Sequence, residues 1–304
     1  MLYRSERYLR EFHSRALAAA ALVTPNFELV YVDDGSPDRS GATVRELGAG
    51  DARVVLVELS RNFGHHCAAV AGLAHARGQR IFMLDVDLEE RPEWLPDFAA
   101  QMERSGADVV FGVSRVRKGT FLRRVVGGVF WKLFNALSDV QVPENPCTVR
   151  LMTRHYVDAL LTLPDRNLFL AGSFAWLGFR QEPHPVEKGL RPTASTYTAR
   201  RLIALFIDAV TSFTSYPLRL IFGSGVVIAT LALLSGTALA LYKLARPETI
   251  SLGWASIVVS IWFLGGLTIS FLGVIGIYLA KVFNETKGRP LYVVKAVHGR
   301  GGEP

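Results

Sequence analysis

Two aspartates one residue apart close an apolar run, Ile81-Phe82-Met83-Leu84-Asp85-Val86-Asp87, and Glu89 follows two residues on. The run reads as a short buried strand of a parallel sheet, and an open α/β sheet delivers its functional loops at the C-terminal ends of such strands. Side chains alternate along extended chain, so Asp85 and Asp87 are expected on one side. Hard carboxylate oxygens in that pattern suit Mg2+ or Mn2+ bridging a diphosphate, with Asp85, Asp87 and Glu89 as candidate ligands. The same pair equally suits the plain role of capping a helix expected to start near Pro92. A second acidic turn, Asp33-Asp34-Gly35-Ser36-Pro37-Asp38, closes a strand expected from Phe27 to Val32. Its carboxylates could accept hydrogen bonds from a base N–H or a ribose hydroxyl, with Gly35 allowing close backbone approach; an Asp-Gly turn between a strand and a helix explains the same residues. Arg61 lies just past a strand expected from Val54 to Leu59, and its guanidinium fork suits diphosphate oxygens. His65 and His66 invite a metal reading, but helical neighbours point about 100° apart and no third ligand is near.

The elements that must position these groups alternate. Helices are expected over Met1 to Ala21 after a short extended start, His65 to Ala76, and Pro92 to about Arg104, with a further strand from Asp108 to Val113. Strand and helix in alternation predict an α/β fold with a doubly wound, mainly parallel sheet. Beyond Val113 the character changes to a basic loop, Ser114-Arg115-Val116-Arg117-Lys118-Gly119, then an aromatic and basic stretch from Phe121 to Leu137. Thr198 to Ser215 is similar, and both suit helices lying in a lipid headgroup region.

Half of the 304 residues are hydrophobic and the mean hydropathy is +0.24, high for a purely soluble enzyme. The excess is concentrated in two uncharged stretches, Leu220 to Tyr242 and Thr249 to Ala280, about 23 and about 32 residues long and able to span a bilayer. A two-helix transmembrane hairpin is expected, against the alternative of two buried helices in a soluble core. Basic residues on either side of the pair put both ends in the cytoplasm by the positive-inside rule. The N-terminus lacks the apolar region of a cleavable signal, so the domain that begins the chain is expected to stay cytoplasmic. Cys67 and Cys147 are then expected as free thiols. The net charge of +7 clusters near membrane-proximal segments and points to an anionic lipid surface, not to nucleic acid. The expected organisation is a cytoplasmic domain over 1–197, an interfacial helix over 198–217, two spans over 218–281 and a cytoplasmic tail over 282–304, disordered from His298.

The order of motifs resembles a known family. Tyr3-Arg4-Ser5-Glu6, Val32-Asp33-Asp34-Gly35-Ser36, Ser60-Arg61-Asn62-Phe63-Gly64, Asp85-Val86-Asp87-Leu88, Arg150-Leu151-Met152 and Phe174-Ala175-Trp176-Leu177-Gly178-Phe179-Arg180 are similar to motifs of the polyprenyl-phosphate glycosyltransferases. These are family 2 inverting enzymes of GT-A fold, such as dolichol-phosphate mannose synthase and bactoprenol glucosyltransferases. The resemblance covers nearly the whole chain and is specific as a set. It implies a nucleotide diphosphate sugar held by Tyr3, Glu6, Asp33, Asp34, Arg61 and Asp85, with a divalent cation on Asp85, Asp87 and Glu89. It places Arg115, Arg117, Lys118 and Ser195 near the acceptor phosphate of a polyprenyl lipid, and Asp87, Arg117 and Arg150 in the chemistry. Three departures stand out. Only Met1-Leu2-Tyr3 remains of the family's first strand, so that strand is expected to be truncated, with about ten or more residues preceding Met1 in the natural protein. Cys147-Thr148-Val149-Arg150-Leu151 stands where many members carry Gly-Asp-Phe-Arg-Leu, which removes a carboxylate sometimes cast as base. Glu89-Glu90 replaces the usual Gln-Asp.

The expectation is an enzyme of the inner membrane that moves one sugar onto polyprenyl phosphate at the cytoplasmic face, with homo-oligomerisation left open. The alternatives are a catalytically impaired membrane scaffold and a family 2 transferase with another lipid or polysaccharide acceptor.

Overall fold

The computed structural model describes residues 1–114, 146–163, 165–166, 169–187, 214, 216–245 and 253–299. Helix α1 (Glu6–Ala21) leads into β1 (Leu29–Asp33), α2 (Ser40–Gly48), β2 (Val54–Leu59), α3 (His65–His75) and β3 (Arg80–Met83). A single 3-10 turn at Pro92–Trp94 opens α4 (Leu95–Ser105), which ends on Gly106 in a left-handed conformation and precedes β4 (Val109–Ser114). Apart from α2, for which no bounds were expected, these elements match the sequence expectation to within a residue or two. The apolar runs become strands because both their faces are covered; β2 is buried along its whole length. The helices are stripes laid on those faces, α1 through Leu9, Phe12 and Ala16, α4 through Phe98, Ala99 and Met102.

The sheet departs from expectation. β5 (Pro146–Thr153), α5 (Arg154–Leu161), α6 (Leu170–Trp176), β6 (Gln181–Val186) and β7 (Val294–His298) complete the domain. The described strands form two mixed sheets, of order β1-β2-β7 and β3-β5-β4-β6. β1 pairs with β2 in parallel and β4 with β6 in parallel. β5 runs antiparallel to both β3 and β4, and β7 runs antiparallel to β2. The expected mainly parallel sheet is thus corrected to a mixed one, because β5 and β7 arrive from long excursions rather than from short helical crossovers. β7 also corrects the expected tail: His298 belongs to a strand on the edge of β2 (Leu56↔His298, Val57↔Val297), while residues 300–304 lie outside the described residues. Both cysteines are free, Cys147 buried and Cys67 half-buried.

Between β1 and β3, each the last strand of its sheet, lies a cavity of about 880 Å3. Met1 lines it at the N-terminus, and next to it Leu2 forms a parallel bridge to Asp33, its N–H donating to Val32 O (2.8 Å) and its carbonyl accepting from Asp34 N–H (3.1 Å).

Helices α7 (Tyr216–Ala245) and α8 (Trp254–Thr286) touch each other. Ser260–Thr286 is long and apolar enough to cross a membrane, and it exposes Trp262, Ile269 and Leu279.

Candidate active site

β1 delivers Asp33 and Asp34 into a turn that packs directly on the loop after β2. Gly35 sits at φ 62°, and a Cβ there would come 2.5 Å from the carbonyl carbon of Arg61 and 2.6 Å from the nitrogen of Asn62. Glycine alone satisfies both the left-handed backbone and the contact. Asp34, only 3% exposed, accepts from the N–H groups of Phe63 (2.7 Å) and Gly64 (2.9 Å), the last two residues before α3. An expected nucleotide contact is therefore also the clamp that holds the Arg61 loop, with lone pairs still available on each oxygen. Asp33 accepts from Ser36 N–H (2.9 Å). Burial pushes its carboxyl above the ordinary range, the Ser36 amide works against that rise, and the charges of Glu58, Asp38 and Asp34 add to it.

The N-terminal segment closes the turn from the other side. Arg4 N–H donates to Ser36 Oγ (2.8 Å), and Ser5 N–H to Ser40 Oγ (3.1 Å). Glu6 N–H donates to Asp38 Oδ2 (3.2 Å), while the Glu6 carboxylate accepts from Arg39 N–H (3.3 Å). Tyr3 is half exposed beside them. Tyr3, Glu6, Asp33, Asp34 and Arg61, chosen from sequence, thus come together at one end of β1 and β2. Sequence reasoning missed Asp38, whose Oδ1 accepts from both Ser36 and Ser40 hydroxyls (2.6 Å each). Burial raises the Asp38 carboxyl, but these donors outweigh it and leave the group below its ordinary value. The Asp38-x-Ser40 spacing at the start of a helix was the signal that could have found it. Arg61 is exposed, its guanidinium 4.1 Å over the Phe63 ring.

The loop after β3 brings the second acidic group. β3 ends at Met83, so Asp85 and Asp87 lie beyond the strand, Asp87 in a turn, and the alternation expected of extended chain does not apply to them. Leu88 adopts φ 61°, a conformation costly for a branched side chain and typical of over-determined functional loops. Glu89 N–H donates to Asp87 Oδ1 (3.1 Å), and Asp85 Oδ1 lies 3.6 Å from Nδ1 of His65 at the head of α3. Since Asp34 holds the residue just before His65, the two acidic turns meet at α3. Among the described residues no three His, Cys, Asp or Glu side chains gather into a metal-holding group. A pair of carboxylates suits an ion such as Mg2+, which takes one or two protein carboxylates and completes its shell with phosphate oxygens and water. The α-amine of Met1 lies within electrostatic reach of Asp85, Asp87 and Glu90; burial lowers its pKa and the three carboxylates oppose the drop.

β5 places Arg150, 5% exposed, behind this loop. Its Nε donates to Thr148 O (3.2 Å) and its Nη2 to Cys147 O (3.3 Å), and the guanidinium lies 3.5 Å over the Phe174 ring. Burial pulls its pKa down to about 10, against the pull of Tyr156, Glu90 and Cys147. Two of its donors serve β5 carbonyls and an aromatic face covers the guanidinium plane. Glu90, 2% exposed, accepts from Thr148 N–H (2.9 Å) and so ties the Asp85–Asp87 loop to β5, a role the sequence did not suggest. Arg115, Arg117, Lys118 and Ser195 lie outside the described residues, as do the stretches from Phe121 to Leu137 and from Thr198 to Phe213.

The chain is similar to known glycosyltransferases. A relative in Mycobacterium tuberculosis (strain CDC 1551 / Oshkosh), provisionally named a glycosyltransferase, is 43% identical over 98% of this chain and 86% of its own. The prophage bactoprenol glucosyl transferase homolog of Escherichia coli (strain K12) is 32% identical over 97% of both chains. The bactoprenol glucosyl transferase of Shigella phage SfII is 31% identical over 98% of this chain and 96% of its own. Among solved structures, a mannosyltransferase from Pyrobaculum calidifontis in complex with GDP-Man and Mn2+ aligns over 94% of this chain and 84% of its own, at 16% identity and a TM-score of 0.47, a likeness too slight to build on. Residues 1–161 match the model of glycosyl transferase family 2, and with these relatives spanning nearly its whole length, the chain, with its GT-A-like α/β fold of mixed sheets, belongs to that family as a glycosyltransferase.

Proposed function

We propose that the protein transfers one sugar, with inversion, from a nucleotide diphosphate sugar to a polyprenyl phosphate at the cytoplasmic face of the inner membrane. The observation that carries the lipid acceptor is the route of the chain after its long apolar helix. Thr286 ends α8, and by Val293 the chain is already accepting from Ser60 N–H (2.9 Å), next to Arg61. Seven residues span at most about 25 Å, so the nucleotide end of the sheet is held within that reach of the helix terminus. The Glu285 carboxylate adds a second tie by accepting from Arg166 N–H (2.9 Å). An acceptor with a phosphate headgroup and an apolar tail fits a site tethered so closely to an apolar helix. The names of the bactoprenol-related relatives point the same way.

In this reading α7 and α8 form a membrane hairpin with both ends cytoplasmic, the domain over 1–197 joins β7 to make the catalytic sheet, and stretches near 121–137 and 198–217 lie along the headgroups. The exposed apolar side chains of α8 would otherwise face water. The Asp33–Asp34 turn, with Tyr3 and Glu6, receives the nucleoside, and Arg61 faces its diphosphate. Asp85 and Asp87 would hold a divalent cation, which when bound offsets charge on the leaving diphosphate. The acceptor phosphate is mostly dianionic near neutral pH, with a second pKa of about 6, so its oxygen attacks without a protein base. Arg115, Arg117, Lys118 and Ser195 position it. Membranes carrying the protein, given radiolabelled nucleotide sugars and polyprenyl phosphate, are expected to yield label in a mild-acid-labile lipid fraction, and Asp87→Asn to lower turnover by at least about 10²-fold. Label appearing only on a water-soluble or polysaccharide acceptor, or full activity of Asp87→Asn, overturns the reading.

A further inference from the structure

Behind the Asp33–Asp34 turn, a row of ionisable side chains crosses three strands. Asp33 of β1 is the register partner of Glu58 of β2, and such partners direct their side chains to one face, about 5 Å apart. On the other side of β2, Leu56 pairs with His298 and Glu58 with Ala296, so alternation puts His298 on that face as well. Asp33 is only 9% exposed and Glu58 only 8%. Glu58 Oε1 accepts from Arg45 Nη1 of α2. Glu58 Oε2 lies 3.6 Å from His298 Nε2, a buried atom with no hydrogen-bond partner among the described residues. Gly41 of α2 lets the row close up, since a Cβ there would come 2.6 Å from Asp33 Oδ2 and 3.4 Å from Glu58 Oε1. Two carboxylates side by side in such a setting repel each other. Their cationic partners, Arg45 and His298, sit on the Glu58 side.

We infer that Glu58, with Arg45 and His298 as its counter-charges, is a positioning residue that sets the ionisation of Asp33 and so the hydrogen bonds this turn offers a nucleotide. Charge on Arg45 and His298 offsets that of Glu58 and favours the Asp33 carboxylate. Loss of either cation leaves Glu58 to act on Asp33 and favours the protonated form. The other groups facing Asp33 are in the turn: burial pushes its carboxyl up most, the Ser36 amide opposes, and Asp38 and Asp34 push the same way as Glu58. A protonated carboxyl presents an O–H donor where the carboxylate presents an acceptor, so a ligand N–H or hydroxyl is matched in one state only. Since His298 lies in β7, the strand that follows α8, the C-terminal segment reaches the turn from behind. The consequence for the nucleotide rests on the function proposed above; the charge row itself stands on strand register and contacts.

The test follows the Asp33 carboxyl directly, by carbon NMR of the full chain in detergent with labelled aspartate, the signal assigned by its loss in Asp33→Asn. Glu58→Gln keeps an acceptor for Arg45 and is expected to lower the Asp33 midpoint by at least about half a pH unit. Arg45→Gln and His298→Gln are expected to raise it by a similar amount, because guanidinium and imidazole groups are charged where carboxyls titrate. Lys295→Gln removes a cation from the exposed face of β7 and is expected to move the midpoint by less than about 0.2, since an exposed charge is screened. A packing role would not give opposite shifts for loss of the anion and loss of the cations. Shifts of one sign in all the variants, or a Lys295→Gln shift as large as that of His298→Gln, overturn the inference. If Arg45→Gln fails to fold, His298→Gln carries the opposite sign by itself. The same variants are then titrated with UDP and GDP, whose affinities relative to wild type are expected to vary with pH only where Asp33 titrates. Midpoints that shift as expected while those affinity ratios stay flat leave the inference standing and overturn the assignment of Asp33 to the nucleotide.

Discussion

Replacing Asp34 separates its two roles. Both carboxylate oxygens hold backbone amides, Phe63 N–H at 2.7 Å and Gly64 N–H at 2.9 Å, in a half-buried setting. Asp34→Ala strands both donors. An unmet buried donor costs about 1–3 kcal/mol, and partial water access favours the lower half, so the pair amounts to about 2–4 kcal/mol. At about 2–4 °C per kcal/mol for a domain of this size, the Tm should fall by about 4–16 °C. Asp34→Asn keeps one acceptor and turns an NH2 group toward the other amide, so its Tm should lie between wild type and Asp34→Ala. The 61–64 loop carries Arg61, so loosening it should also raise the KM for the nucleotide sugar in both variants, in the same order as the Tm losses. Thermal melting in detergent, read from tryptophan fluorescence, and steady-state kinetics below each Tm supply the two measurements. If both variants melt within about 1 °C of wild type while the KM rises, Asp34 acts on the ligand alone and the clamp argument fails.

Three further outcomes are expected. Asp33 is held above its ordinary carboxyl value of 3.8, chiefly by burial; a raised acid makes the fold less stable as pH climbs through the raised value, and the deficit persists above it. Asp33→Asn should therefore melt higher than wild type at pH 7, lose that advantage below about pH 3.8, and bind nucleotide worse; a lower Tm at pH 7 would contradict the sign. Glu90→Gln keeps an acceptor for Thr148 N–H but drops the charge near Arg150, whereas Glu90→Ala drops both, so Glu90→Ala should cost at least about twice as much in Tm; equal losses would remove the tie between the Asp85–Asp87 loop and β5. Arg117→Ala should raise the lipid acceptor's KM by about tenfold or more and Thr148→Ala by less than about threefold, with the rate rising through about pH 6 as the acceptor phosphate ionises; the reverse order would call for a protein base.

The residues that meet at this candidate site were legible because the proposed chemistry resides in residue identity. A carboxylate pair after an apolar run, an acidic turn with glycine and an arginine after the next strand carry their roles in their side chains, and the alternating elements that hold them obey local rules. The strands that went unread break those rules for reasons of position. β6, Gln181-Glu182-Pro183-His184-Pro185-Val186, contains two prolines that argue against a central strand, yet it lies at the end of its sheet, where one edge needs no donors. β7 alternates half-buried and exposed residues over only five positions, too short a period to stand out beside a glycine-rich terminus. Convergence was less legible still. Asp34 reaches Gly64 across 30 residues and Glu90 reaches Thr148 across 58, and no local pattern encodes such pairings. The Asp85–Asp87 loop shows the cost of extending a local rule too far: alternation was applied past the last paired residue, Met83, into a turn where Leu88 is left-handed. A loop so folded is not held by its own propensities. It is held by Glu90 on one side and faces His65 on the other, so the geometry of the two aspartates depends on β5 and α3 and not on the strand that leads to them.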